Sequence, residues 1–293
     1  GGDAVEGQVI EEQAMGRLWD AAGADLEELG RSLSGCVSAR DAPTEADTLN
    51  RMGVAFCERG DSQRGISHLS RGVSSARLCP NRRVLLTCLS SLGCAHARCG
   101  GRGEAIEAFE EAAQVAQRLS DVPAEAHCLR RAALAHASHG DITAGLVVIG
   151  DALDLFSAAG DAYGEAACLF TAGVMKYELG STAEGVADVE ASLRARRRLR
   201  DKVGIAECLN RLGLALVDIG YHLQALDYLE RALALCHEVG DLMGQAHALR
   251  LLAYLHFAQV DGDRKLSLEL FRKSLSLCRR NRDVLGQAMC HEG

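Results

Sequence analysis

The chain repeats itself at a fixed step of 40 residues along almost its entire length. Acidic or turn residues mark the step: Asp41, Asn81, Asp121, Asp161, Asp201, Asp241 and, after 42 residues, Asp283. A chain made of copies of one short unit folds as a stack, in which each copy covers the apolar face of its neighbour. The repeat therefore predicts one elongated array with a continuous inner surface. It favours a binding scaffold over an enzyme with a single catalytic pocket.

Composition predicts helix throughout the chain. The 293 residues include only three prolines and few aromatic residues, and alanine, leucine, arginine and glutamate are abundant. Such a composition favours helices. No apolar run approaches the ~18 residues that a membrane span requires. No secretory signal opens the chain, because its start is acidic. We therefore expect an all-α protein without membrane insertion.

Residues 201–240 illustrate how one unit is built. Apolar residues in the first half recur at steps of three and four, as in an amphipathic helix. Asp201 is placed to cap the first turn of that helix, and Gly220 to end it in a left-handed conformation. A second helix is expected from about His222 to Glu238, and Gly240 stops it. Each helix pair leaves an apolar face that only a neighbouring pair can cover.

The large and small positions of these units resemble the tetratricopeptide repeat. In residues 201–240 they are Leu209, Leu212-Gly213, Leu216, Gly220, Ala225, Leu229 and Ala232. The resemblance covers essentially the whole chain and implies a right-handed superhelical α-solenoid of antiparallel helix pairs. It divides a single array into a degenerate repeat 1–40, repeats 41–80, 81–120, 121–160, 161–200, 201–240 and 241–282, and a truncated next helix 283–293.

The repeat is longer than the ordinary tetratricopeptide unit of about 34 residues. The junctions at 160–166 and 240–246 both read Gly-Asp-x-x-Gly-x-Ala. In this respect the chain resembles the LGN/Pins-type and rapsyn-type adaptors. That resemblance implies a deep inner groove that binds an extended and often acidic peptide segment from another protein.

The resemblance also implies which residues line the groove, at five positions on the first helix of each repeat. The residues that it singles out are Asn50, Arg98, His127, Arg130, Phe170, Tyr177, Asn210, His247, Arg250, Tyr254 and Phe257, and the same positions include Asp47, Thr87, Glu207 and Asp218. Asn50, Arg130, Asn210 and Arg250 occupy one equivalent position, where they can hold a peptide backbone and its carboxylates. Phe170, Tyr177, Tyr254 and Phe257 can form an apolar anchor pocket. The alternative is that these side chains only cover the edge of the core.

The twelve cysteines raise the question of disulfides or metal sites. Four recur at the 40-residue step: Cys88, Cys128, Cys168 and Cys208. Because Ala248 takes this position in the next repeat, we interpret it as a small buried apolar site. Cys94 and His96 point to different faces of a helix, so we expect neither a metal site nor a cofactor. Many thiols without a disulfide framework favour a reducing compartment, and we expect a cytoplasmic protein.

Charge is distributed unevenly. The net charge is −8, and residues 1–30 hold eight acids and one base, which leaves 32 acids and 31 bases in the rest. One hypothesis is that this acidic segment occupies the groove of its own chain as an autoinhibitor, or the groove of a second copy. The basic run from Arg194 to Arg200 is interpreted as a solvated helix end, with a phosphate or acidic-tail site as the alternative. Nothing resembles a nucleic-acid footprint, which would be a basic domain.

The sequence contains no catalytic constellation: no glycine-rich phosphate loop, no Gly-x-Ser-x-Gly and no His-Glu-x-x-His. The first functional hypothesis is therefore a non-catalytic scaffold that binds an extended, acidic partner segment in its concave groove. The second is a regulatory or sensor region of a larger effector or enzyme. The third is a structural linker in a cytoskeletal or ciliary assembly.

Overall fold

The computed structural model describes residues 26–39, 41–258, 263–281 and 284–292. These residues form fourteen α-helices and no strand, as expected for an all-α protein. The helices are α1 Leu26–Ala39, α2 Ala42–Glu58, α3 Ser62–Arg77, α4 Arg82–Arg98, α5 Arg102–Arg118, α6 Val122–His139, α7 Ile142–Ala159, α8 Ala162–Glu178, α9 Thr182–Arg198, α10 Lys202–Asp218, α11 His222–Val239, α12 Leu242–Ala258, α13 Arg264–Arg280 and α14 Val284–Glu292. Most of the acidic segment 1–30, with its hypothetical inhibitory role, lies outside the described residues.

The 40-residue period is a period of helix N-caps. Asp201 accepts a hydrogen bond from the backbone N–H of Gly204 at 3.0 Å, which confirms the predicted cap of α10. Equivalent side-chain caps begin the first helix of the other pairs, at Asp41, Asn81, Asp121, Asp161 and Asp241. Each cap satisfies an N–H group that has no partner inside the helix.

Helices pack in pairs, and each of two compact units follows the same rule. In the unit that ends at Gly160, the pairs are α2–α3, α4–α5 and α6–α7, and α1 packs on α2. The second helix of one pair packs on the first helix of the next, and α2 also contacts α4 directly. In the unit that begins at Asp161, the pairs are α8–α9, α10–α11 and α12–α13. There α10 contacts α12, and α14 packs on α13.

Small apolar residues and cysteines fill the interfaces between these helices. Cys88, Cys128, Cys168 and Cys208 are all buried, which confirms their interpretation as apolar core positions. Burial is the main reason why the pKa of the Cys88 thiol rises to about 12 and that of Cys208 to about 11. Cys94 is also buried, and its sulfur accepts a hydrogen bond from the Arg131 guanidinium at 3.2 Å.

Helix α7 is, among the described residues, the one helix long and apolar enough to cross a membrane by length and composition. Asp151 and Asp154 lie within this helix and interrupt its apolar run, so the sequence does not predict a membrane span here. The helix packs along α6 as the second member of its pair. Its ends are capped by Asp141 and Gly160, in the manner of the other pairs. Length and composition are therefore weak evidence for a membrane span in this helix.

Gly160, Gly220 and Gly240 adopt the left-handed conformation that ends a helix, as the sequence predicts for the last two. At the position equivalent to Gly160 and Gly240, the chain has Ser120 with φ 55° and Arg200 with φ 56°. A side chain in this conformation brings Cβ close to the backbone and costs about 1–2 kcal/mol. These two residues are therefore strained where glycine would not be.

Exchanging glycine and arginine between equivalent positions should change stability in opposite directions. Arg200→Gly is expected to raise the free energy of unfolding by about 1 kcal/mol, since it removes this strain. Gly160→Arg is expected to lower it by a similar amount, because no atom lies near its absent Cβ and only the backbone conformation is affected. Urea unfolding followed by circular dichroism measures both. A loss of stability in Arg200→Gly would contradict the prediction.

Candidate functional site

The candidate site lies on the first helices of the pairs, where the sequence places the groove residues. In the first unit, a cavity of about 160 Å³ opens between α2 and α4. Its lining residues are Asp47, Asn50, Arg83, Val84, Thr87 and Cys88. The structure thus brings together Asp47, Asn50 and Thr87, three of the positions that the family resemblance assigns to the groove. We call this cavity the α2–α4 cleft.

Asn50 is the most buried polar group of the α2–α4 cleft. Its side chain is 7% exposed, and its Oδ1 has no hydrogen-bond partner among the described residues. A buried carbonyl oxygen without a donor is uncommon in proteins and costs about 1–3 kcal/mol. The cleft therefore presents a hydrogen-bond acceptor that is ready to receive a donor.

The other predicted residues of the first unit lie apart from this cleft. Arg98 is exposed at the end of α4, and Arg130 is partly buried on α6. The exposed ring of His127 packs edge-on against Phe156 of α7, with 4.9 Å between the ring centroids. Arg131, which is not among the predicted groove residues, is buried on α6 beside Cys94.

Asn210 in the second unit repeats the arrangement of Asn50. It is 2% exposed, and its Oδ1 also lacks a hydrogen-bond partner within the described part of the chain. His247, on the neighbouring helix α12, has a pKa lowered to about 3 by burial and by the charges of Arg250 and Arg211. The imidazole is therefore neutral at physiological pH, and the charges near it are two guanidinium groups.

The side chain of Tyr177 takes part in a polar network with residues of the same unit. Its hydroxyl donates a hydrogen bond to the carboxylate of Asp218. The guanidinium of Arg211 lies over its ring, 5.0 Å from the centroid, and forms an ion pair with Glu178 at 3.4 Å. Arg211 is not among the residues that the sequence predicts for the groove. One sequence signal for Arg211 was available. It directly follows the predicted groove residue Asn210, and the predicted groove residue Tyr177 lies in the preceding repeat.

The remaining aromatic residues of the second unit differ in exposure. Phe170 is only 8% exposed and packs beneath the guanidinium of Arg196, 5.2 Å from its ring centroid. Tyr254 and Phe257 on α12 are open to solvent, and Phe257 is 57% exposed. Among the four predicted groove aromatics of this unit, the rings most accessible to a partner are therefore those of Tyr254 and Phe257.

The tetratricopeptide repeat family model matches residues 85–122 and 205–239. These segments correspond closely to the helix pairs α4–α5 and α10–α11. The family match and the helix-pair architecture together support a tetratricopeptide-repeat protein. The narrower LGN/Pins-type or rapsyn-type class stays a prediction. A comparison with curated proteins found no match.

Solved structures share the fold at low sequence identity. The apo form of RapI superposes with a TM-score of 0.72 at 12% identity, over 94% of this chain and 98% of that one. A Rap protein complexed with Competence and Sporulation Factor gives 0.65 at 12% identity, over 85% and 73%. A STAND-family signal transduction ATPase with a tetratricopeptide repeat sensor, from Pyrococcus horikoshii, gives 0.63 at 12% identity, over 88% of this chain and 39% of that one. These likenesses show a helical solenoid fold.

Proposed function

We propose that this chain is a non-catalytic protein-interaction module, which binds an extended segment of a partner along the first helices of its pairs. The observation that carries the proposal is the equivalence of Asn50 and Asn210. Both are buried on a first helix, and the Oδ1 of each lacks a donor among the residues that the structure describes. A carboxamide both donates and accepts hydrogen bonds, so it complements the N–H and C=O groups of a peptide main chain.

The charge near Asn210 favours an acidic stretch of the partner in the second unit. The charge of Arg250 helps to lower the pKa of the neighbouring His247 ring, whereas Arg211 is already paired with Glu178. Guanidinium groups recognise carboxylates through paired hydrogen bonds. We assign Arg250, at the position equivalent to Asn210, to such a carboxylate. The exposed ring of Phe257 would add apolar contact area beside it.

The solved structures of the same fold support two versions of this function. One Rap protein was solved in complex with Competence and Sporulation Factor, which supports a peptide or protein partner. The Pyrococcus horikoshii protein carries its tetratricopeptide repeats as a sensor within a longer chain. The second candidate function is therefore a sensor region of a larger protein. The cysteine-rich core suits a reducing compartment, and we assign the module to the cytoplasm.

Truncation of the two asparagines tests the proposal directly. Peptides would be selected from a displayed library of random extended sequences against the whole chain, and their affinities measured by fluorescence anisotropy. Asn50→Ala and Asn210→Ala are each expected to weaken binding about tenfold, the equivalent of one good hydrogen bond. Asn281→Ala, at an exposed helix end, is the matched control and should leave affinity unchanged.

Stability distinguishes a binding role of these asparagines from a structural one. Because Oδ1 is unsatisfied in the folded chain, removal of the carboxamide should leave the free energy of unfolding unchanged or slightly raised. Lower affinity without lower stability supports the proposal. Selected peptides that bind both variants as tightly as the original chain would refute it.

A further inference from the structure

Asp47 is the carboxylate of the α2–α4 cleft. Asp47 is exposed beside the cleft and forms no ion pair with any described residue. Among the described residues that line the cleft, the one cation is Arg83, which is paired with Asp121 at 3.5 Å. A ligand with a positive charge would therefore meet Asp47 without competition from an existing ion pair.

Two other side chains of the cleft, Asn50 and Thr87, also offer acceptor atoms. Asn50 Oδ1 is buried without a donor among the described residues. The hydroxyl of Thr87 donates its proton to the backbone carbonyl of Arg83 at 3.1 Å, so it can only accept from a ligand. The carboxylate, the carbonyl oxygen and the hydroxyl together suit an ammonium or guanidinium group, which offers several N–H donors and no acceptor.

The size and walls of the cleft suit a single long side chain. Small-molecule sites occupy about 300–1,000 Å³, whereas this cleft has a volume of about 160 Å³. Val84 and Cys88 supply apolar walls, against which the methylene groups of a lysine or arginine can pack. The thiol of Cys88 stays uncharged because burial, and then the charge of Asp47, raises its pKa.

The equivalent place in the second unit has no such open carboxylate. Glu207 corresponds to Asp47, but its carboxylate is bound by Arg196 at 2.5 Å. Arg196 occupies the thirty-sixth position of its repeat, and in the repeat before Asp47 that position holds Cys36. Asp47 therefore differs from Glu207 in having no arginine paired with it among the described residues. The position from which Arg196 reaches Glu207 holds the uncharged Cys36 in the repeat before Asp47.

We propose that the α2–α4 cleft binds the lysine or arginine side chain of the partner segment. The inference rests on the proposed function. It further specifies that the partner segment carries a positive charge where it enters the α2–α4 cleft. The partner is then not uniformly acidic, because it bears a basic residue where it meets the α2–α4 cleft.

The test uses the whole chain and the displayed library of random peptides described above. Selection against the original chain is expected to enrich a basic residue at one peptide position. Selection against Asp47→Lys should abolish that enrichment or replace it with an acidic residue. Asp151→Lys, which makes the same charge change on the exposed side of α7, should leave the enrichment intact. Circular dichroism would establish that each variant is folded.

Affinities of individual selected peptides complete the test. Replacement of the basic residue by glutamine should weaken binding to the original chain about tenfold, but have little effect on binding to Asp47→Asn. The difference should shrink as ionic strength rises. If peptides depend on Asn50 but show no basic preference that depends on Asp47, the inference fails and the proposed function survives. If no selected peptide depends on Asn50 or Asn210, both fail.

Discussion

Replacement of Arg196 by methionine is expected to lower the free energy of unfolding by about 3–5 kcal/mol. The guanidinium of Arg196 is 7% exposed and lies 2.5 Å from the carboxylate of Glu207, which is 15% exposed. It also approaches the carboxylate of Asp201 at 4.0 Å and covers the ring of Phe170. Methionine keeps much of the apolar stem but leaves a buried carboxylate without a counter-charge. That uncompensated charge, rather than lost packing, is the source of the large effect.

An exposed ion pair provides the matched control. Arg231 and Asp227 are paired at 3.1 Å on α11, but their side chains are 52% and 61% exposed. Arg231→Met should therefore cost less than about 1 kcal/mol. The double variant Arg196→Met with Glu207→Gln should recover much of the lost stability, because the buried charge is then removed as well. Denaturant unfolding measures all three. Equal costs for Arg196→Met and Arg231→Met would contradict the burial argument.

Replacement of Gly173 by alanine is expected to destabilise the second unit by about 3 kcal/mol. A Cβ at this position would lie 2.7 Å from the carbonyl oxygen of Gly185 and 2.8 Å from Cγ2 of Val189. Gly185 is equally confined, since its Cβ would lie 2.6 Å from the carbonyl oxygen of Gly173. The backbones of α8 and α9 are in direct contact at these two glycines. The two helices would therefore have to separate to admit a methyl group. Overpacking of this kind costs about 1–3 kcal/mol, and a clash with backbone belongs at the upper end.

Gly150, in the interior of α7, is the control for this substitution. No atom lies within 4 Å of the position that its Cβ would take. Gly150→Ala should therefore raise the free energy of unfolding by about 0.5–1 kcal/mol, because alanine is the better helix former. The two glycine-to-alanine changes should shift the denaturation midpoint in opposite directions. A shift of the same sign in both would show that close helix approach does not govern Gly173.

The sequence predicted the helix pairs because their signals are local. The caps at the 40-residue step and the left-handed Gly220 and Gly240 were visible in the residues themselves, and the structure confirms them. The second helix predicted from about His222 to Glu238 spans His222–Val239. Such signals depend on hydrogen bonds between residues a few positions apart, and a repeat presents them several times.

The basic run from Arg194 to Arg200 was harder to interpret. The sequence predicted a solvated helix end, and four of its five arginines are indeed exposed, but Arg196 is buried. Which arginine turns inward depends on how α9 packs between α8 and α10, and on Glu207 eleven residues further along. One signal was nevertheless present. In the other repeats the position of Arg196 holds apolar or small buried residues: Cys36, Ala76, Ala116, Phe156 and Cys236.

The candidate site stays a prediction, although part of its geometry agrees with the sequence. The family resemblance assigns Asp47, Asn50 and Thr87 to groove positions, and the structure gathers these three residues in one cleft. The repeat register could not show that Asp47 is open while its equivalent Glu207 is bound, since that depends on a single residue of the preceding repeat. It also could not distinguish the buried Phe170 from the exposed Phe257, because burial depends on the packing of neighbouring helices.

The regularly spaced cysteines make the opening of individual helix pairs measurable. Cys88, Cys128, Cys168 and Cys208 lie in four successive pairs, and all four are buried. A buried thiol reacts with an alkylating reagent only when its surroundings open, whereas the exposed Cys99 reacts at once. Pulse alkylation followed by peptide mass spectrometry would therefore reveal the order in which the pairs come apart. The buried thiols thus report local unfolding, with at least one reporter in each of these four pairs.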